Sequence, residues 1–159
     1  MADLELTEVA RVLEELRATC RDGEDGFRQI ADHLEDPALR ERFIRYAQLR
    51  AGLASELLAE VQRLGGEPST SGHASGAIQR GWMRLKAALT GADDAAILSE
   101  AERGEDVTVG LYRKALEREM PVDTRAVLVR QLDDIESVHR EVRELRDAAV
   151  AATERSPEA

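Results

Sequence analysis

A glutamate and a histidine stand three residues apart late in the chain, in the tetrapeptide Glu136-Ser-Val-His139. On a helix this spacing places both side chains on one face, so a carboxylate and an imidazole can bind the same metal ion. Helical bundles with two-metal centres use such Glu-x-x-His pairs on two helices and one Glu from each of the other two. The pair therefore raises the question of whether the chain supplies the remaining ligands.

Further carboxylates occur where such a centre would need them. Glu102 and Glu105 fall on positions that the helical rhythm reserves for apolar residues. Glu24 lies one step off the seam of an earlier helix, beside two glycines that leave room around it. Carboxylate and imidazole ligands suit iron or manganese equally well. The candidate metal ligands are therefore Glu24, Glu102, Glu105, Glu136 and His139.

The helix predicted at 38–64, which would have to supply the remaining ligands, departs from the two-metal pattern. A weak internal repeat relates the two halves of the chain, and it puts Ala51 and Ala54 opposite the Glu-x-x-His pair. The second such pair is therefore absent. Arg50 stands next to the gap, on a seam that is otherwise apolar.

Arg50 offers an explanation of the acidic seam that needs no metal. The guanidinium can pair across the bundle with Glu24, Glu102 or Glu105, and a buried cation among carboxylates satisfies them. This ion pair is the more economical hypothesis, while a metal site and a seam open to water remain the alternatives. No set of catalytic residues is predicted.

Four long amphipathic helices are predicted to position these side chains. The apolar residues recur at alternating steps of three and four over 7–35, 38–64, 93–120 and 123–150. Thr7 and Asp93 are expected N-caps, and the Gly65-Gly66 pair is expected to end the second helix. Cys20 falls on the apolar seam of the first helix, which predicts a buried, inert thiol.

The lengths of the connections predict the topology. Two short links make each neighbouring pair of helices an antiparallel hairpin. A long crossover at 65–92 joins the hairpins and contains a short helix near 77–89, whose Ile78 and Trp82 are expected to face the bundle. This is the all-α, ferritin-like four-helix arrangement. One domain is predicted over 1–150, with a frayed tail at 151–159.

The composition excludes several classes of function. The 159 residues are 34% charged and only 3% aromatic, which favours helices over sheet. A net charge of −10 without a basic patch argues against nucleic acid and against an anionic membrane surface. No apolar stretch is long enough to span a bilayer, and the first residues do not resemble a signal peptide. A single cysteine cannot form an internal disulfide, so a cytoplasmic location is expected.

Two patterns are the most distinctive parts of the chain, "GWMRLK" at 81–86 and "ERGED" at 102–106. With the segments around them (71–117) and with 22–43, 58–68 and 127–147, they resemble a bacterial family of ferritin-like four-helix-bundle proteins of unknown function. The resemblance covers nearly the whole chain. It implies the ferritin-like fold and carries no established reaction.

The wider superfamily implies two further expectations. Its members bind two irons through carboxylates and histidines, a pattern that this chain resembles at the candidate ligands but not on the helix at 38–64. Its members also often self-associate, which implies a homodimer or an unidentified protein partner. The resulting hypothesis is a non-enzymatic bundle, associative or stress-related, whose degenerate metal site is an Arg–carboxylate network. The alternative is an iron- or manganese-binding protein or oxidoreductase with a carboxylate/His site in the bundle centre.

Overall fold

Five helices make up the described part of the chain. The structure, a computed structural model, describes residues 3–68, 76–91 and 93–155, and no strand occurs among them. In chain order the helices are α1 (Asp3–His33), α2 (Pro37–Arg63), α3 (Gly76–Gly91), α4 (Asp94–Leu116) and α5 (Val122–Arg155).

The helices form two hairpins that pack into a four-helix bundle. Helix α1 packs along α2 and α4 packs along α5, each pair being joined by a short link that makes the two helices antiparallel. The crossover helix α3 lies against α1 and α4. The predicted all-α bundle of two hairpins with a helical crossover is thereby confirmed. None of the described helices combines the length and the apolar character that a membrane span requires.

Aspartate N-caps begin two of the helices. The Asp36 side chain accepts a hydrogen bond of 2.9 Å from Ala38 N, and Pro37 occupies the first turn of α2. The Asp93 side chain accepts one of 3.0 Å from Ala95 N at the start of α4, as expected from the sequence. Each cap satisfies an N–H group that has no acceptor inside its helix.

A Schellman motif ends α2 at the two glycines. Gly65 has a φ of 79°, in the left-handed region that glycine adopts without penalty. Gly65 N donates to Gln62 O at 3.0 Å and Gly66 N donates to Val61 O at 2.9 Å. A Cβ on Gly66 would lie 2.7 Å from the Ala10 Cβ, so the second glycine also allows close contact with α1.

Three expected helix boundaries were wrong. Helix α1 begins at Asp3, so Thr7 lies inside the helix and is not its N-cap; the leucines and the glutamate before it are good helix formers. Helix α4 ends at Leu116 and not near 120, because the chain tightens into a turn ahead of Pro121. Helix α5 continues to Arg155, so 151–155 are helical and not a frayed tail.

The crossover helix packs through one face. Leu85 and Leu89 are buried, at 8% and 6% exposure. The side chains of Ile78 and Trp82, which were predicted on the same face, lie outside the part of the chain that the structure describes.

Two separate apolar clusters form the core. One contains leucines and valines from the first half of α1 and the second half of α2, together with Tyr112 and Ile135. The other contains the aromatic side chains of Phe27, Phe43 and Tyr46, with apolar residues from α3 and the first half of α4. The break between the two clusters falls near the middle of α2 and α4, where the charged residues lie.

Candidate functional site: a polar layer across the bundle

An ion pair between Arg50 and Glu105 occupies the break in the apolar core. The two residues are 1% and 3% exposed, and Arg50 Nη2 donates to Glu105 Oε1. The guanidinium carbon also lies 5.5 Å from the centroid of the Phe27 ring, in cation–π range. Removing either charge would leave the other buried without a partner, which is strongly unfavourable.

A glycine on α1 makes room for the guanidinium. A Cβ on Gly23 would lie 2.8 Å from Arg50 Nη1, closer than real Cβ contacts. The sequence predicted that this space would accommodate a metal ligand, Glu24. Arg50 occupies the space beside Gly23. The Glu24 carboxylate instead accepts a hydrogen bond of 3.1 Å from Arg28 on the same helix.

Burial and pairing act in opposite directions on Glu105. Burial raises the pKa of its carboxyl group, and the charge of Arg50 opposes this rise. Burial alone would favour the neutral form of Arg50, but the Glu105 charge keeps the pKa of Arg50 above its ordinary value. The guanidinium is therefore a fixed positive charge in the core.

Several polar atoms of this pair have no hydrogen-bond partner among the described residues. They are Nε and Nη1 of Arg50 and Oε2 of Glu105. Buried donors and acceptors without partners are rare in native proteins. These atoms are also closed off from solvent, so the pair holds buried polar groups that its own contacts do not satisfy.

A chain of hydrogen bonds extends from Cys20, near the ion pair, toward the surface. Tyr112 Oη donates to Gln131 Oε1 at 2.7 Å, and Gln131 Nε2 donates to Glu56 Oε1 at 2.7 Å and to Leu53 O at 3.3 Å. Both partners of Nε2 can only accept, so the orientation of the Gln131 amide is determined. The hydroxyl hydrogen of Tyr112 is therefore donated to Gln131. The Cys20 thiol, 3.3 Å from Tyr112 Oη, must then be the donor in the contact between these two residues.

The thiol at the start of this chain is fully buried. Cys20 is 0% exposed, as expected from its position on the apolar seam. Burial raises its pKa, and the nearby Arg50 charge only partly opposes that effect. Because the thiolate is the nucleophilic form, a protonated and inaccessible Cys20 is unsuited to covalent catalysis.

A second polar cluster lies where α4 meets α5. Glu102, 6% exposed, accepts hydrogen bonds from Arg143 Nε at 3.1 Å and from Arg146 Nη1. His139 Nε2 lies 2.6 Å from Asp106 Oδ1, although the contact lacks the alignment of a hydrogen bond. Glu102, Asp106 and His139 can each point one ligand atom to a common position, with these atoms within 4.8 Å of one another.

The structure separates the remaining predicted ligands from this group. Glu136 accepts a hydrogen bond of 3.0 Å from Arg113 at the surface, although it belongs to the Glu-x-x-His pair. Neither Glu24 nor Glu136 belongs to a group of three possible ligands among the described residues. The five candidates therefore do not converge on one centre. In the middle of the bundle, helix α2 contributes Arg50 and no metal ligand. Ala54, which the repeat aligned with His139, is buried in the apolar core.

Several residues of the site were missed at the level of the sequence. Asp106 is one helical turn from Glu102, so the i, i+4 spacing could have revealed it. Arg143 and Arg146 lie beside the apolar seam of α5, where arginine usually faces solvent. Gln131 gave no signal, because nothing in its spacing distinguishes a buried amide from an exposed one.

The fold defines the class of protein to which this chain belongs, the ferritin-like four-helix bundles. The family follows from the sequence match: residues 8–118 match a domain of unknown function, DUF2383, and the chain belongs to that family. A solved point mutant of Dps1 from Mycobacterium smegmatis has a similar fold, with a TM-score of 0.73 at 15% identity. The match covers 92% of this chain and 99% of that chain. No curated protein gives a match.

Proposed function

We propose that this protein is a non-enzymatic ferritin-like scaffold in which an Arg–carboxylate network takes the place of a metal centre. The observation that carries the proposal is the buried ion pair of Arg50 and Glu105 in the middle of the bundle. An arginine that is already a fixed positive charge at this point repels a divalent cation. A metal at the bundle centre would require this pair to separate inside the core.

The other carboxylates support the same proposal. Each carboxylate that the sequence suggested as a ligand contacts an arginine. These pairs are Glu24–Arg28, Glu102–Arg143 and Glu102–Arg146, Glu105–Arg50, and Glu136–Arg113. A cation at any of these positions must compete with a guanidinium.

The physiological part of the proposal is association in the cytoplasm, with a second copy of the chain or another protein, in a stress-related role. It rests on analogy with the superfamily. Met83 on α3 and Val122 at the tip of the second hairpin are exposed apolar side chains, at 69% and 82%, that a partner could cover. Light scattering across a hundredfold range of protein concentration tests it. A constant monomer mass would reject self-association.

Elemental analysis tests the absence of a metal centre. The protein is purified without chelator, loaded with ferrous iron or with manganese, and freed of unbound metal. We expect well under one equivalent of metal per chain. One or two equivalents that are lost in the Glu136→Ala/His139→Ala double variant would overturn the proposal.

A second candidate function is iron or manganese binding at Glu102, Asp106 and His139. The observation that favours it is the convergence of their ligand atoms within 4.8 Å. The residue types fit these metals, and His139 Nε2 makes no aligned hydrogen bond among the described residues. Such a site would give the chain a metal and, with iron, the basis for oxidoreductase chemistry.

A pair of variants on one helix distinguishes this second candidate. Under this candidate, His139→Ala abolishes metal binding, whereas Glu136→Ala, one turn away and paired with Arg113, leaves it unchanged. Equal binding by both variants and the wild-type chain would remove α5 from the site. Isothermal titration with Mn²⁺ provides the measurement.

A further inference from the structure

Arginines of α5 hold both carboxylate oxygens of Glu102. Oε1 accepts a hydrogen bond of 3.1 Å from Arg143 Nε, and Oε2 accepts one from Arg146 Nη1. Glu102 also forms, with Asp106 and His139, the group whose ligand atoms lie within 4.8 Å of one another; we call these three residues the flank. Whichever oxygen of Glu102 binds a metal ion, a guanidinium already lies on that oxygen and repels the cation.

The other two residues of the flank have no arginine in their place. His139 Nε2 is buried and makes no aligned hydrogen bond among the described residues. Asp106 Oδ1 lies 2.6 Å from this nitrogen and covers it. Because the Asp106 side chain is 61% exposed, it can move outward and admit a cation between its carboxylate and the imidazole. A metal ion therefore meets two accessible ligands and a third, Glu102, that the arginines occupy.

The charges around Glu102 favour the binding of a cation together with an anion. Two guanidiniums lie among three carboxylates, those of Glu102, Asp106 and Asp147. The group therefore has one negative charge in excess, and a divalent metal ion turns this into an excess of one positive charge. An anion is then attracted to the arginines that the metal ion repels. Each of the two partners lowers the electrostatic cost of binding the other.

The two arginines can reach such an anion from the surface. Their side chains are 50% exposed at Arg143 and 30% exposed at Arg146. They lie three residues apart on α5, so they share one face of the helix. Guanidiniums bind the oxygens of a tetrahedral oxyanion through paired N–H groups. Leaving Glu102 for such an anion costs exposed arginines little.

The geometry points to Arg143 and Arg146 as a gate on metal binding at the flank. They occupy Glu102 until a tetrahedral dianion, free or as a phosphate monoester, draws them away. Manganese or ferrous iron and the dianion then bind with positive coupling, and each raises the affinity for the other by the same factor. This inference rests on the second candidate function, metal binding at the flank. It also agrees with the expectation that the chain alone retains little metal.

Isothermal titration with Mn²⁺ tests the coupling on the wild-type chain. The titrations are made in chloride, in sulfate and in glycerol phosphate at equal ionic strength. We expect the dissociation constant for Mn²⁺ to fall about fivefold or more when the dianion replaces chloride. Both dianions pair weakly with Mn²⁺ in solution, which opposes this gain and cannot produce it. A gain in sulfate identifies a free oxyanion as the partner, and a gain in glycerol phosphate alone identifies a phosphate monoester.

Two double variants with the same change in net charge test the role of the arginines. Arg143→Gln/Arg146→Gln removes both guanidiniums from Glu102. This variant should bind Mn²⁺ about tenfold more tightly than the wild type in chloride and should not respond to sulfate. Arg140→Gln/Arg155→Gln removes two exposed arginines of α5 that do not contact Glu102, so it should bind as the wild type does in each salt.

Two different results would overturn the inference, and they are distinguishable. Equal Mn²⁺ affinity of the wild type in the three salts, without a gain in Arg143→Gln/Arg146→Gln, would reject the gate and leave the metal site in place. The absence of Mn²⁺ binding by every folded chain in every salt would reject the metal site itself. The comparison of salts is made on the wild type, so it decides the question even if the variant that leaves Glu102 unpaired does not fold.

Discussion

Glu102 and Glu105 are three residues apart on α4, both are buried, and both contact arginine, yet their surroundings differ. Glu105 meets a guanidinium that is 1% exposed and enclosed by three helices and an aromatic ring. Glu102 meets Arg143 and Arg146, which are 50% and 30% exposed and can turn into solvent. The two carboxylates are similarly buried, and they differ in how far their arginine partners are exposed to solvent.

This difference determines which carboxylate a cation can reach. Displacing an exposed arginine returns its charge to water at little cost. Displacing Arg50 would leave it in an apolar core without its counter-charge. Among the described residues, the flank, formed by Glu102, Asp106 and His139, is therefore where a metal could compete. At the centre, formed by Arg50 and Glu105, a metal would have to break the buried ion pair.

The largest expected effect comes from breaking the central pair. Arg50→Ala should reduce the free energy of unfolding by about 3–5 kcal/mol, because it leaves a buried carboxylate without a counter-charge. Urea unfolding followed by circular dichroism measures it. A change near zero would show that Glu105 is solvated and would remove the distinction between centre and flank.

A double substitution separates the charge from the packing. In Arg50→Met/Glu105→Leu both charges are replaced by apolar groups of similar length, so most of the lost stability should return. A double variant as unstable as Arg50→Ala would mean that the loss reflects a cavity.

A smaller effect is expected from crowding the guanidinium. Gly23→Ala places a methyl group 2.8 Å from Arg50 Nη1, so the buried guanidinium or α1 must shift. We expect a loss of about 1–3 kcal/mol, the usual cost of overpacking. Gly110→Ala is the control, since its Cβ meets nothing within 4 Å, and it should be neutral or stabilising. Equal stability of the two variants would mean that α1 shifts to accommodate the methyl group at little cost in free energy.

The polar chain of the centre should make stability depend on alkaline pH. Burial raises the pKa of Cys20 and of Tyr112 above their ordinary values of 9.0 and 10.0. The unfolded chain therefore ionises first, so this stability is complete below pH 9 and is lost as the pH rises. Each group adds a slope of up to about 1.4 kcal/mol per pH unit.

Tyr112→Phe tests this dependence without relying on absolute stability. The variant should lose stability less steeply than the wild type between pH 10 and 11, as measured by urea unfolding at each pH. Parallel curves would show that the phenol ionises equally well in the folded and unfolded chains.

The smallest effect is expected at the flank. Arg143→Ala removes a half-exposed partner of Glu102, and Arg146 still contacts the same carboxylate. We expect a loss of about 0.2–1 kcal/mol, which high salt should reduce further. A loss as large as that of Arg50→Ala would mean that the flank is as tightly organised as the centre.

The bundle was predictable because its rules are local. Apolar periodicity, the cap at Asp93 and the two glycines after α2 depend only on nearby residues, and all three agree with the structure. The errors fell at ends where composition gives no clear stop, at Thr7 and after Leu116. There the helix runs as far as neighbouring residues and packing allow.

The site was predictable only in outline. The sequence left three partners open for Arg50, and the choice of Glu105 depends on how α2 and α4 align across the core. The association of Glu102 with Asp106 and His139 likewise depends on the register of α4 against α5. The cavity between α1 and α4, lined by Gly23, Gly26 and Gly104, could not be anticipated, because it reflects a distance between helices that no single helix encodes.

The buried polar contacts that join the two hairpins also bear on how the protein folds and unfolds. Arg50 and Glu105 are 55 residues apart in sequence, and Cys20 and Tyr112 are 92 apart. Each hairpin can form from contacts closer in sequence, at a lower entropic cost of loop closure. We therefore expect the hairpins to form early and to dock late. Loss of these contacts should then accelerate unfolding far more than it slows folding, so that the polar layer sets the lifetime of the folded protein.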